Sequence, residues 1–490
     1  MTSLSRRETL LDRLRIESAL GFFNILWALS ACAHTLEDHP FVGWLTYLLA
    51  IQLIVRPERL AAFVLFAAGH LAIVVAQFPT AANHTVIAAL VDLALLVAVA
   101  PELLAVRDGD WRTRVWDRVR LPIAVTLVVV YGFAAFHKLN TDFLTPAVSC
   151  ATELLARIGD LNGVPFTPPP TIASLNIYAT LAIEVLIPTL LVIRRTRHWG
   201  ALLGVAFHTI LGWARFFDFS TAAFALYLLF FERDDLLARL RRLPAWLGSS
   251  LLIGFGGLAF WSIVLYGLRG NPVVVAFGSD RALTADLLMH LSWTLGVFPT
   301  LVAVFWQPVV PHHGSTGSLW SRLGPLGVVL PLLAFLNGAT SYLGLKTVAN
   351  FSMFSNLRTE GGQTNHLLVP ASALFVADYQ RELVTVDSLS AVRSTSFPWW
   401  TRYTGTGMPT WAREMPGARV PFIELKRTVQ LWKHVGQEAI SVRYVREGQT
   451  IQLADASRDS TLMAPLSFVE RQLFAWRAVN ADGTASRCRW

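Results

Sequence analysis

The chain has 490 residues, of which 54% are hydrophobic and only 15% are charged. A typical globular chain is about a quarter charged and a little under half apolar. The shortage of charge extends over most of residues 1–345, which excludes a disordered chain, a coiled coil and a purely soluble protein. The formal net charge of +8 does not indicate nucleic-acid binding, because the arginines cluster between apolar runs, as they do in loops that flank membrane spans.

Eleven apolar segments are candidate membrane-spanning helices, since a bilayer core takes about 20 helical residues. The second and the eighth are short. They cover residues 16–36, 41–55, 60–78, 84–105, 121–137, 172–193, 199–215, 218–231, 248–268, 284–306 and 325–345. The predicted fold is an all-α polytopic membrane bundle of about 11 spans, followed by a small α+β C-terminal region.

The arginine clusters predict the orientation of these spans. Four arginines between Arg6 and Arg15 precede the first span and place the N-terminus in the cytoplasm. Later clusters follow spans two, four, six and eight, so all of them fall on the same side. Eleven spans then place residues 346–490 outside the cytoplasm, in a protein of the plasma (inner) membrane, and an error of one span would reverse the side of this tail.

The tail has the patterns of a small folded region. Residues 439–445 and 450–453 alternate between apolar and polar side chains around Glu447-Gly448, which predicts a β-hairpin. Four apolar residues recur at helical spacing and predict an amphipathic helix, packed on the hairpin or lying on the membrane surface. They are Phe422, Leu425, Val429 and Trp432.

Several ionisable residues fall within or at the ends of the apolar segments, where each is energetically costly and a functional candidate by default. They are Asp92, His137, Lys138, Glu184, His208, Arg215 and Asp218. Structural interpretations compete for most of them. Lys138 closes a span, where a lysine often reaches to the interface, Arg215 and Asp218 are spaced to pair on one helix face, and His208 fits a hydrogen-bonded core histidine.

The orientation brings some of these residues to one level. Asn83 and His84 start the fourth span and Lys138 ends the fifth, so all three are expected near the extracytoplasmic face, together with Arg215. A partly buried lysine is a usable general base because burial disfavours its charged form. An adjacent neutral histidine or asparagine can orient a substrate or hold a developing anion.

These residues also resemble a known family. The segment VYGFAAFHKLNTDFL (130–144) is similar to the stretch of vitamin K-dependent γ-carboxylase that holds its catalytic base, and NHT (83–85) resembles its Asn-His-Ser site. FHTILGWARFFDFS (207–220) and FSMFSNLRTEGG (351–362) resemble two further stretches. The wider group is the horizontally transferred transmembrane (HTTM) domain, with about 8 helices, which the chain resembles over residues 10–240. Residues 241–345 are then additional spans and 346–490 a small extracytoplasmic region.

The resemblance implies a site and a chemistry. Lys138 falls on the base, Asn83 and His84 on the polar pair around the vitamin hydroquinone, and Glu184 on an acidic position, while His208, Arg215 and His137 are expected to bind substrate or quinol. A reduced quinone would react with oxygen to form a strong base that deprotonates a carbon acid, and carbon dioxide would capture the carbanion. His137 stands where the family has a second lysine, and the tail is much shorter than the family's lumenal domain.

Two other classes of function stay open: a non-catalytic protein that binds lipid or quinone or transports a solute on this scaffold, and a structural membrane subunit. The expected partners are membrane lipid, quinone and an unidentified small-molecule or protein substrate, with no nucleic acid. No metal is expected, because the histidines lack ligand spacing. Cys32, Cys150 and Cys488 all fall on the predicted oxidising side, where any pair of them can form a disulfide.

Overall fold

A computed structural model describes residues 8–38, 40–79, 81–104, 110–214, 216–264, 278–307, 324–393, 409–479, 485 and 488. Over these ranges the protein is mostly helical, with one small antiparallel sheet near the C-terminus. The helices are α1 Leu10–Leu14, α2 Ala19–Asp38, α3 Pro40–Val55, α4 Leu60–Ala76, α5 Asn83–Leu104, α6 Trp111–His137, α7 Thr141–Leu144, α8 Cys150–Leu161, α9 Pro170–Val192, α10 Arg197–Trp213, α11 Phe217–Tyr227, α12 Arg233–Arg241, α13 Ala245–Ser262, α14 Gly278–Phe305, α15 Leu326–Ala339, α16 Phe422–His434 and α17 Phe468–Gln472.

Five of these helices are long and apolar enough to cross a membrane, which fits a membrane protein. They are α5, α6, α9, α13 and the Leu288–Phe305 part of α14. Shorter apolar helices accompany them, including Leu60–Ala76 and Leu326–Ala339. Large apolar side chains are exposed along α9 and α15, for example Leu175 and Phe335. Such contiguous apolar surface is expected where helices face lipid.

Each of the eleven predicted segments coincides with a helix, from α2 to α6, α9 to α11 and α13 to α15. The last helix ends at Ala339, whereas its predicted span continued to residue 345. The chain turns there because Gly344 has a φ of +64° and a β-carbon at this position would lie 2.8 Å from the Phe375 carbonyl oxygen. The pattern also missed α7, α8 and α12, which lie between the predicted spans.

Small residues allow close packing of the candidate spans. A β-carbon on Gly254 of α13 would lie 2.5 Å from the α-carbon of Gly296 in α14, so these two backbones touch directly. Glycine at such crossings is typical of membrane helices. The same continuous core includes α2, α5, α6 and α11, where Trp27 and Trp116 are fully buried.

The tail forms its own small core. Strands β1 Leu383–Arg393, β2 Ala418–Pro421, β3 Gln437–Arg446 and β4 Gln449–Leu453 make an antiparallel sheet in the order β2-β1-β3-β4. Strands β3 and β4 confirm the predicted hairpin. The predicted amphipathic helix is α16, and its apolar residues, such as Leu425 and Val429, are buried against the sheet. It therefore packs on the hairpin.

Candidate functional site

A cavity of about 670 Å³ lies between the helical bundle and the beginning of the tail. Helices α5, α6, α8, α9, α10 and α11 contribute to its wall, which is mostly apolar. A segment of irregular backbone after α15, residues 347–366, closes one side and is called the strap below. Polar side chains among the described lining residues are Asn83, His84, Tyr131, Lys138, Asn176, Thr180, Glu184, His208, Ser220, Thr347, Ser352, Glu414 and Arg477.

Lys138 lies on the cavity wall directly after α6 and is only 3% exposed. Its Nζ atom is 3.0 Å from Oε2 of Glu184 on α9, which is itself buried. The same ammonium donates hydrogen bonds to the carbonyl oxygens of Ala134, at 3.3 Å, and Met353, at 3.0 Å. The Lys138 ammonium is therefore held by one ion pair and two hydrogen bonds, and two of its three partners come from outside α6.

The two residues that open α5 reach the same cavity. Asn83 accepts a hydrogen bond from the backbone N–H of Phe351 in the strap, at 2.6 Å, through its side-chain oxygen. His84 follows it and also lines the cavity. The structure thus brings Asn83, His84, Lys138 and Glu184 together around one space, although they come from three different helices.

A hydroxyl and imidazole cluster forms another part of the wall. The Tyr131 hydroxyl lies 2.7 Å from Nε2 of His208 and 2.5 Å from the hydroxyl of Tyr227. Both Tyr131 and His208 line the cavity. The second ring nitrogen of His208, Nδ1, is buried and has no hydrogen-bond partner among the described residues. The cluster can therefore accept a polar group of a bound molecule.

The strap holds an unusual backbone conformation. Four of its residues that are not glycine have positive φ angles: Ala349 (58°), Phe351 (63°), Phe354 (48°) and Asn356 (54°). Each such residue costs about 1–3 kcal/mol and persists only where the surroundings impose it. Hydrogen bonds to the bundle supply that constraint, because Asn356 accepts from the Cys150 N–H at 2.8 Å and donates to the Val148 carbonyl at 2.9 Å.

The residues just after Lys138 anchor the strap. Asn140 is fully buried and donates to the Ser355 carbonyl oxygen at 2.6 Å, while accepting from Asn365 at 3.2 Å. Asp142 forms a buried ion pair with Arg358 of the strap, with an Nε to Oδ2 distance of 2.9 Å. In the sequence from Lys138 to Asp142, Lys138 lines the cavity, whereas Asn140 and Asp142 hold the strap in place.

The far end of the chain also reaches the cavity. Arg477 donates to Oε1 of Glu360 at 2.7 Å, and its Nη1 atom has no partner among the described residues. Cys150, at the start of α8, forms a disulfide with Cys488, which lines the cavity. Cys32 is a buried free cysteine. Of the pairings that the sequence left open, the structure therefore contains Cys150–Cys488.

One further expected site residue, His137, lies away from the cavity. His137 is fully buried beside the rings of Phe133 and Tyr342, at centroid distances of 5.2 and 5.5 Å, and is not among the described residues that line the cavity. Its position next to Lys138 on the helix directs it to a different face. Arg215 lies outside the described residues. Asp218 belongs to α11, but its side chain is not among those described.

Sequence reasoning did not single out Tyr131, Asn176 or Arg477. Helical spacing could have identified Tyr131, because it lies seven residues before Lys138. It is therefore two turns away on the same face of α6. A spacing of eight residues likewise places Asn176 near the face of α9 that carries Glu184. Arg477 comes from the tail, and no local pattern connects it with the bundle.

The cavity has the character of a site for a small organic ligand. The described residues contain no group of three or more His, Cys, Asp or Glu side chains placed to hold a metal. A mostly apolar cavity with convergent polar groups suits a small organic ligand, and the unpaired His208 Nδ1 gives such a ligand a hydrogen-bond partner. No protein-family model, no curated protein and no solved structure matches this chain.

Proposed function

We propose that this protein is a membrane enzyme resembling vitamin K-dependent γ-carboxylase, in which Lys138 acts as a base toward a reduced quinone bound in the cavity. The observation that supports this most strongly is the Lys138–Glu184 pair, buried on the wall of a mostly apolar cavity. A lysine whose only role is to reach the membrane interface would extend toward solvent. Lys138 instead contacts a carboxylate and two carbonyl groups.

The protein's own groups support proton removal. In a low-dielectric site, Glu184 can take the proton of Lys138, which leaves a neutral amine able to accept the proton of a quinol hydroxyl. His84, Asn83 and the Tyr131–His208 cluster would orient the ring and its oxygens. The bound quinol would supply the driving reaction, its oxidation by dioxygen to a quinone epoxide and water. The helices and strap would exclude bulk water from the base.

The same proposal includes the membrane arrangement. Eleven spans with a cytoplasmic N-terminus would place the cavity mouth and the tail outside the cytoplasm, in the plasma (inner) membrane. The Cys150–Cys488 disulfide supports this side, because disulfides persist in oxidising compartments. Residues 10–240 would form the HTTM-like unit, 241–345 additional spans and 346–490 the extracytoplasmic region. The carbon acid that accepts carbon dioxide would be a small molecule or a protein segment.

The test is product analysis with purified full-length protein, a menaquinol or phylloquinol, and dioxygen. Wild-type protein should form quinone epoxide, and Lys138→Ala should lower its rate roughly 10²–10⁴-fold, the usual contribution of a general base. Lys346→Met is a matched control, because Lys346 is also buried and hydrogen-bonded, to Asn337 at 2.5 Å, but does not line the cavity. It should keep most of the activity.

Thermal melting of each variant separates loss of chemistry from loss of fold. An epoxide rate that is the same in wild-type and folded Lys138→Ala protein would refute the role of Lys138. The absence of epoxide with every quinol tested would refute the proposed reaction.

A second candidate, a quinone-binding protein without catalysis, is favoured by one observation: the Lys138 ammonium pairs with Glu184 and donates to two carbonyl groups of the protein. An ammonium stabilised in this way is a poor base, so the cavity would bind a quinone without removing a proton from it. This alternative predicts that a menaquinone quenches tryptophan fluorescence saturably while no epoxide forms. Quenching with turnover would favour the enzyme.

A further inference from the structure

A second large depression shares no lining residue with the cavity and lies at the ends of two candidate spans. It has a volume of about 680 Å³ and is lined by Arg242 and by α14 and the residues directly after it. The residues of α14 are Phe298, Pro299, Val302 and Ala303, and Trp306 follows the helix. Its floor is therefore apolar, with a single cation at one end.

Arg242 supplies the positive charge of this groove. Its side chain is exposed and forms no hydrogen bond or ion pair with any described residue. The two acidic residues of α12 have other partners, because Asp234 pairs with Arg233 at 3.1 Å and Asp235 with the buried Arg239 at 3.2 Å. Within the described part of the chain, the charge of Arg242 is therefore unpaired.

The aromatic residues beside the groove indicate its depth in a membrane. Trp306 is 65% exposed and contacts Trp199, which is 51% exposed, at a ring distance of 5.8 Å. Exposed tryptophans at helix ends are typical of the membrane–water interface. Arg242 lies at this level too, because it directly precedes α13 and its apolar run. From Trp306 the groove follows α14 to Phe298, roughly 12 Å at 1.5 Å per residue. This is most of one leaflet of a core about 30 Å thick.

We propose that this groove is a binding site for a phospholipid with an acidic headgroup. The phosphate would contact the guanidinium of Arg242 at the interface, and an acyl chain would lie along Val302, Ala303 and Phe298. A basic pocket between membrane helices at the headgroup level is a known arrangement for acidic lipids. A soluble anion would use only the Arg242 end, whereas a phospholipid uses both the charge and the apolar floor.

The experiment uses full-length protein that has been delipidated in detergent. Phosphatidylglycerol, phosphatidylcholine or inorganic phosphate is then added, and bound molecules are counted by native mass spectrometry. We expect one phosphatidylglycerol to be retained preferentially. Arg242→Gln should weaken its retention about fivefold, as expected for one basic residue near a headgroup, and Ala303→Trp should abolish retention by filling the groove.

The matched control is Arg241→Gln. It removes the same charge from the neighbouring, exposed residue, which does not line the groove, so phosphatidylglycerol retention should be unchanged. Because Arg242→Gln and Ala303→Trp act on opposite parts of the site, either variant alone tests the proposal if the other does not fold.

Three results would overturn the proposal. Equal retention of phosphatidylcholine and phosphatidylglycerol would show that the charge is not recognised. Equal losses in Arg241→Gln and Arg242→Gln would indicate a general surface charge effect. Displacement of phosphatidylglycerol by inorganic phosphate, with no effect of Ala303→Trp, would indicate an anion site that does not use the apolar floor.

Discussion

Two of the polar clusters that the described helices bury differ in their surroundings. In one, Asp92 accepts a hydrogen bond from Trp27 at 2.8 Å and contacts His70 at 2.7 Å, with all three side chains enclosed by the bundle core. In the other, Lys138 and Glu184 pair at 3.0 Å on the wall of a large cavity. Membrane depth makes ionisable residues candidates for function, and of these two clusters it is the second that lines a cavity formed by described residues.

We expect the cluster around Asp92 and the cluster around Lys138 to have different roles, although they contain similar residue types. The cluster around Asp92 connects α2, α4 and α5 through a hydrogen bond from Trp27 and a close contact with His70. It is suited to hold the helices in register. The cluster around Lys138 is completed by the strap, whose backbone is constrained into positive φ angles at four positions. Its substitutions should change ligand binding or turnover more than folding.

The largest expected effect is on stability, in Asp92→Ala. This change leaves the N–H of Trp27 and the imidazole of His70 buried without their acceptor, and breaking a buried pair costs about 3–5 kcal/mol. Thermal melting of the detergent-solubilised protein should show a clear decrease in midpoint, whereas quinol binding by the remaining folded protein should not change. A decrease in quinol affinity without a decrease in midpoint would contradict the structural role.

Glu184→Gln should lower turnover more than it lowers stability, in contrast to Asp92→Ala. The variant keeps the shape of the side chain but cannot accept a proton from Lys138 or stabilise its ammonium. We expect turnover to decrease about 100-fold, within the range of general acid–base effects, with a smaller change in the melting midpoint than in Asp92→Ala. Unchanged turnover in Glu184→Gln would show that the Lys138–Glu184 pair has no role in the reaction. The pair would then be a structural contact between α6 and α9.

The sequence was sufficient to predict the helices and much of the candidate site. Each of the eleven predicted apolar segments coincides with a helix of the bundle. The alternating pattern of residues 439–453 coincides with the β3–β4 hairpin. The orientation predicted one level for Asn83, His84 and Lys138, and these three residues line the cavity together with Glu184, which the resemblance had matched to an acidic position.

What the sequence did not reveal depends on long-range contacts. The strap has no regular pattern, because its conformation is imposed by bonds such as Asn140 to Ser355. The short helix α8 was not predicted, because it is amphipathic and lies between two candidate spans. The position of His137 on another face than Lys138 follows from a rotation of about 100° per residue in an α-helix. This rule was applicable from sequence alone.

A smaller effect is expected for Tyr131→Phe, which tests whether the cavity wall contributes more than shape. The variant removes one hydroxyl that contacts His208 and Tyr227, and a hydrogen bond of this kind contributes about 1 kcal/mol. We expect an increase in KM for quinol of about fivefold with a smaller change in kcat. Tyr47→Phe is the matched control, since the Tyr47 hydroxyl is bonded to Ala259 and Ser262 away from the cavity. If Tyr131→Phe and Tyr47→Phe changed the KM for quinol equally, Tyr131 would have no specific role in binding quinol.

The smallest expected effect is a pH dependence of the strap through His366. Its Nε2 donates to the Phe136 carbonyl at 2.9 Å, and its Nδ1 accepts from the N–H groups of Leu368 and Val369 at 3.0 and 3.1 Å. Burial lowers the pKa of His366 below its usual value, despite the bond to Phe136 that raises it. The neutral ring is therefore the form that the folded strap requires.

The sign of this effect follows from proton binding. Below a pH of about 6.5 the unfolded chain binds a proton that the folded strap excludes, so stability decreases as the pH falls, by at most about 1.4 kcal/mol per pH unit. The midpoint of wild-type protein should decrease more between pH 7.5 and 5.5 than that of His366→Phe, which does not titrate there. Identical pH profiles for the two proteins would show that the strap does not depend on a neutral His366. A larger decrease of the melting midpoint in the wild type would show that protonation of His366 destabilises the strap that covers the cavity.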